Sequence, residues 1–195
     1  MVKIILTDLD GTLVNKNTEL EFMIYFLKDR SFRFRKFINF GYWIISKLQS
    51  HIFLSKNNFK FLYYKIDANY LDQIVEKWLS TFEISSLKIN KKILQSKEET
   101  DIIFILTNCP SFISLPFCKR FLPFKINGIF STEIYVLKNS YHFKVKRKMV
   151  GNNKQVIAKE LIKRYGYQSF GYGDSQSDLP FISACDEQFT GGFFS

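Results

Sequence analysis

Two short apolar runs constrain the fold of this chain most. They are Val2-Lys3-Ile4-Ile5-Leu6-Thr7 and Ile102-Ile103-Phe104-Ile105-Leu106, and both are almost unbroken. Runs of this length, without polar alternation, suit strands covered on both faces in a parallel sheet. A weaker third run, Ser169-Phe170-Gly171-Tyr172, ends at Gly173-Asp174. Between the second and third, Gln155 to Tyr165 carries Val156, Ile157, Leu161 and Ile162 at helical spacing, with Gly166 as a stop. Strand, helix, strand at these separations predicts an α/β fold. Tyr135-Val136-Leu137 and Tyr141-His142-Phe143 flank Lys138-Asn139-Ser140, which predicts a β-hairpin.

The ends of the apolar runs carry the chemistry. Asp8-Leu9-Asp10-Gly11-Thr12 follows the first run directly. In open α/β sheets, ligands bind beyond the carboxyl ends of the strands. Two acids set two residues apart there can hold a hard cation, or divide nucleophile and acid roles. Thr107-Asn108 follows the second run, and Gly173-Asp174-Ser175-Gln176-Ser177-Asp178 follows the third. Lys154 stands at the start of the intervening helix. Converging strand ends would gather four carboxylates, a hydroxyl and an ammonium in one crevice. Each residue alone has a structural explanation: an Asp in a turn, a Thr at a helix cap, a solvated Lys. All of those must hold together to remove the site. Cys109 is read as a small buried residue, because Leu115 stands where a cysteine-phosphatase loop would need arginine.

In this combination the chain resembles the haloacid dehalogenase (HAD) superfamily of aspartate-nucleophile phosphatases, in its phosphoserine-phosphatase-like branch. Asp8-Leu9-Asp10-Gly11-Thr12, Thr107, Lys154 and Gly173-Asp174-Ser175-x-x-Asp178 match that family's four motifs in order. The resemblance implies an α/β, Rossmann-like core with a parallel sheet and an inserted α-helical cap of the C1 type. The core would comprise residues 1–14 and 100–195, the cap residues 15–99. It implies Asp8 as nucleophile and Asp10 as general acid and base, with Thr12 orienting Asp10. Gly11, Thr107, Asn108 and Lys154 would bind phosphate. Mg²⁺ would be held by Asp8, Asp10 and Asp174, with Asp178 as an outer or water-mediated ligand.

The insert itself lacks proline and has one glycine, Gly41, so it reads as several helices. From Lys28 to Lys65 it carries nine Lys or Arg against one acid, Asp29, a net of +8. Phe32, Phe34, Phe37, Tyr42, Trp43 and further aromatics interleave with these charges. The uncharged stretch Phe37 to Ser46 is too short for a span, which needs about 20 apolar residues. It suits an interfacial helix on an anionic membrane, or a helical subdomain with an aromatic core of its own. Periodicity does not separate the two.

The whole chain of 195 residues has a net charge of +10, which points to an anionic partner. The three cysteines show no metal-site spacing, and the first strand begins too early for a signal peptide. A cytoplasmic protein is expected, peripheral at the inner membrane face if the insert is interfacial. The chain departs from phosphoserine phosphatases at Asn17, nine residues after Asp8, where that group carries a glutamate; Glu19 and Glu21 lie nearby. The basic aromatic insert and Pro110 resemble instead the phosphatidylglycerophosphatase C type. The leading expectation is a Mg²⁺-dependent phosphomonoesterase on a lipid-linked or membrane-proximal phosphate. A soluble small-molecule phosphatase of the phosphoserine type is the first alternative. The second is a catalytically inactive protein that binds nucleic acid or a partner, disfavoured by the intact acid set. The sequence leaves the leaving group and the oligomeric state open. The short tail after Asp178 is expected to leave the last strands of the fold short or missing.

Overall fold

The computed structural model describes residues 2–28, 66–191 and 193–194. Apart from Lys28, the basic aromatic stretch 28–65 lies outside the described residues, and with it the question of an interfacial helix. The chain runs β1 (Lys3–Thr7), α1 (Thr18–Lys28), α2 (Ala68–Thr81), a 3₁₀ turn (Ile84–Ser86) and α3 (Lys91–Ser96). It continues β2 (Ile102–Pro110), α4 (Ser111–Phe121), β3 (Gly128–Leu137), β4 (Ser140–Arg147) and α5 (Asn152–Tyr165). It closes with β5 (Gln168–Gly173), α6 (Leu179–Ile182) and β6 (Glu187–Thr190).

The six strands form one sheet in the order β4-β3-β2-β1-β5-β6. Every pair is parallel except β3 with β4. β1 is central, and the chain winds outward from it on both sides, so the crevice at its carboxyl end is a topological switch point. This is the mixed α/β, mostly parallel fold that the apolar runs imply. The C-terminal strand is present but short: β6 pairs with β5 over four residues.

The apolar runs divide between two cores, as alternating side chains on a doubly covered sheet must. Ile5, Ile103 and Ile105 face a large core shared with Phe22 and Phe26 of α1, Leu71 and Trp78 of α2, and Phe117 of α4. Ile4, Leu6, Phe104 and Leu106 face a smaller one with Ala158 and Leu161 of α5 and Phe181 of α6. Helices α1 and α2 therefore pack in the same core as the sheet. Aromatic rings join them there: Phe22 and Trp78 meet edge-on at 5.4 Å, and Trp78 stacks on Phe117 at 6.0 Å. Among the described residues, no helix is long and apolar enough to cross a membrane.

The hairpin forms with a two-residue loop, Lys138-Asn139, and Ser140 already opens β4. Both loop residues have positive φ, 48° and 59°. That pair of angles is the turn whose twist matches the flanking strands. α5 begins three residues before the apolar periodicity does and ends at Gly166, whose φ of 66° makes a left-handed cap.

Candidate active site

Asp8 is the first residue past β1. Its amide donates to the Tyr172 carbonyl at 2.9 Å, which carries the β1–β5 pairing one step further and fixes the carboxylate over the crevice. The chain then folds back tightly. The Leu13 and Val14 amides both donate to the Leu9 carbonyl. Gly11 sits in this turn with φ of 76°, a conformation that favours glycine. A Cβ there would lie 2.3 Å from Asp174 Oδ2. Glycine thus lets the loops after β1 and β5 touch. The Gly11 amide, expected at the phosphate, is spent within its own turn, donating to the carbonyls of Val14 and Lys16.

Asp8, Asp10, Thr107, Asn108, Lys154, Asp174 and Asp178 come together around one cavity of about 510 Å³. Asn17, Glu19, Leu20, Cys109, Ser175 and Ser177 complete its described wall. Lys154 lies at its floor, 1% exposed. Its Nζ donates to Asp8 Oδ1 at 2.7 Å and to Asp178 Oδ1 at 2.6 Å. Burial alone would lower the lysine's pKa, but the two carboxylates outweigh it and hold it above the usual value. Burial pushes Asp8 up to about 7, against the pull of Lys154. Asp178 is also held by the Ser175 amide at 3.1 Å and the Ser175 hydroxyl at 2.6 Å, both on Oδ2. Both of its oxygens are therefore engaged.

Asp10 is oriented differently from the sequence expectation. Thr12 does not reach it; the Thr12 hydroxyl donates to Asp174 Oδ1 at 3.1 Å. Thr18, the first residue of α1, holds Asp10 Oδ1 instead, through its amide at 2.9 Å and its hydroxyl at 2.8 Å. The reversal of the chain at Gly11 explains the exchange, because it turns Thr12 toward the β5 loop and brings the start of α1 over Asp10. Burial pushes Asp10 up to about 7, against the two Thr18 bonds, with Glu19 adding to the rise. It can therefore carry a proton near neutrality, with burial rather than neighbouring acids as the main cause.

Asp8, Asp174 and Asp178 each offer a carboxylate oxygen, and these lie within 4.8 Å of one another. An all-oxygen set of this kind fits a hard divalent cation. Thr107 accepts from the Cys109 amide at 3.1 Å, which leaves its own proton free to donate. Cys109 is buried, and burial raises its thiol well above the ordinary range, in keeping with a small buried residue. Asn17, at the position of the family's cap glutamate, accepts from the Leu20 amide at 3.0 Å and so caps α1. Of the two nearby acids, Glu19 faces the cavity; Glu21 turns away to pair with Lys16 at 3.1 Å. Sequence reasoning missed Thr18 and Ser175. The Asn-Thr pair opening an apolar helix was the one local signal for Thr18.

Comparison with known proteins agrees with this fold. No curated protein matches the chain at a significant level. Solved structures do. A protein of unknown function from Bordetella pertussis Tohama I superposes with a TM-score of 0.65 at 18% identity, covering 94% of this chain and 87% of that one. A phosphoserine phosphatase in its apo form gives 0.62 at 12% identity, covering 97% and 86%. A HAD family hydrolase from Salmonella enterica subsp. enterica serovar Typhi gives 0.61 at 13% identity, covering 94% and 60%. The chain thus spans about 60% of the Salmonella protein's length. At these identities the likeness is one of fold. A family model for haloacid dehalogenase-like hydrolases matches residues 5–183, nearly the whole chain, and the protein belongs to that family.

Proposed function

We propose that this hydrolase is a Mg²⁺-dependent phosphomonoesterase that works through an aspartyl phosphate on Asp8. We assign residues 1–14 and 100–195 to its catalytic core and 15–99 to a helical cap. The observation that carries the reading is the buried Lys154 ammonium clamped between Asp8 and Asp178 beneath a cavity that Asp10 and Asp174 also line. A phosphoryl group entering there meets a carboxylate, a cation and hydroxyl and amide donors in one place.

Asp8 attacks phosphorus as the bond from phosphorus to the leaving oxygen breaks, and Asp10 gives that oxygen its proton. Water then attacks the phosphorus of the acyl phosphate and yields a proton to Asp10. Inorganic phosphate leaves, and the Asp8 carboxylate is restored. Lys154 offsets the charge on Asp8 and the phosphoryl oxygens throughout. Asp8, Asp174 and the Asp10 carbonyl would hold Mg²⁺, with Asp178 in the outer shell because Lys154 and Ser175 occupy its oxygens. When bound, Mg²⁺ supplies further neutralisation of the phosphoryl oxygens.

The test is turnover of a generic phosphate ester with Mg²⁺ and with chelator. Asp8→Asn is expected to abolish it, and full activity in that variant would refute the nucleophile assignment.

The substrate we assign is a lipid-linked or membrane-proximal phosphate, on the strength of the +8 aromatic segment between Lys28 and Lys65. Co-sedimentation with anionic liposomes at low salt is the expected outcome; protein left in the supernatant would sink the membrane half. A second reading, a soluble small-molecule phosphate, draws on the polar wall formed by Asn17 and Glu19. A panel of lipid and water-soluble phosphate esters separates the two.

A further inference from the structure

A primary amide has a donor end and an acceptor end, and a phosphoryl oxygen can use only the donor end. Asn108 lines the cavity beside Thr107. Both face it because β2 is irregular here: Thr107 pairs with Ser131 and Pro110 with Thr132, so Asn108 and Cys109 stand against a single step of β3. Bulges of this kind re-aim side chains.

The Thr132 hydroxyl donates to Asn108 Oδ1 at 3.0 Å, and the Met149 amide donates to that same hydroxyl oxygen at 3.0 Å. Thr132 and Met149 are both fully buried. A hydroxyl has one proton to give, and here Asn108 Oδ1 receives it. Turning the amide over would set two donors against the Thr132 oxygen. The hydroxyl proton would then lack an acceptor in a place closed to water, which costs the full desolvation of that group. The acceptor end of Asn108 is thus committed to Thr132, and Nδ2 has no partner among the described residues.

We infer that Thr132 is a positioning residue: it fixes the Asn108 amide so that its N–H groups, with the Thr107 hydroxyl, form a donor pair for the phosphoryl oxygens. This deepens the phosphatase reading and rests on it. The donor pair suits a group that presents acceptors, and it disfavours an ammonium at the same place, which has donors only.

Binding of inorganic phosphate tests the idea without turnover, so its outcome is separate from that of Asp8→Asn. In Thr132→Val, which keeps the shape and removes the hydroxyl, phosphate affinity is expected to fall about tenfold. Thr132→Ser, which keeps the hydroxyl, is expected to recover most of it. In an Asn108→Ala background, Thr132→Val should cost nothing further, because the effect runs through the amide. Wild-type affinity in Thr132→Val, or an equal loss in Thr132→Ser, overturns the inference. If Thr132→Val does not fold, the wild-type protein decides. The Asn108 side-chain ¹⁵N–H signals, assigned by their absence in Asn108→Asp, must shift on phosphate titration; signals that stay fixed overturn it.

Discussion

At the scale of single residues, the site is built by donors that face the carboxylates. Lys154 sits on Asp8, Ser175 on Asp178, Thr12 on Asp174 and Thr18 on Asp10. The Thr18 contact has a kinetic consequence. A general acid that is correctly aimed matters most when the leaving group is a poor one. Thr18→Val keeps the amide bond to Asp10 and removes the hydroxyl bond. It is expected to lower kcat about tenfold on an alkyl phosphate and much less on p-nitrophenyl phosphate, whose leaving group needs no proton. Equal losses on both esters would mean that Thr18 acts on folding rather than on Asp10. The acids themselves were legible in the sequence, because spacing after an apolar run fixes which strand end they occupy. Lys154 was legible with them, but their hydroxyl partners were not. Which hydroxyl meets which carboxylate depends on the turn at Gly11, and that turn is closed by backbone bonds to the Leu9, Val14 and Lys16 carbonyls rather than by any side chain of the motif.

At the scale of elements, the strands and α5 could be read because their burial is written into their pattern. Both faces of β1 and β2 are covered, so nearly every residue is apolar. β3 was harder, since three of its last residues, Tyr135, Val136 and Leu137, are exposed despite their apolar character. Its pairing with β4 was nevertheless visible through the turn. Lys138 adopts a positive φ there without the help of glycine. Lys138→Gly is therefore expected to stabilise the protein by roughly 0.5–1 kcal/mol, read from the urea midpoint. A loss of stability would show that the lysine side chain makes a compensating contact. Asn139 should be left in place, because its side-chain amide donates to Asp67 at 2.7 Å and ties the hairpin to the start of α2.

At the scale of the whole molecule, the three thiols Cys109, Cys118 and Cys185 are all buried. Burial raises each, Cys185 to about 12 with a smaller push from Asp186. The folded chain keeps these protons where the unfolded chain gives them up. Their stabilisation is therefore complete below the unfolded thiol value and is lost as pH rises above it toward the folded value. Between pH 8 and pH 10, stability is expected to fall by roughly 1–2 kcal/mol per thiol. Urea unfolding at the two pH values checks this, and Cys185→Ala should flatten the slope; an unchanged slope would refute the assignment. The sequence by itself determined the α/β class, the parallel sheet and the acids at its strand ends. Burial on two faces leaves a local pattern, and strand polarity fixes where each strand ends. Only the tertiary structure decided that α1 holds Asp10 and that Lys154 also binds Asp178. It also decided that α1 and α2 share the core of the sheet. Those contacts join residues far apart in the chain, and no local periodicity encodes a meeting that depends on how the layers close.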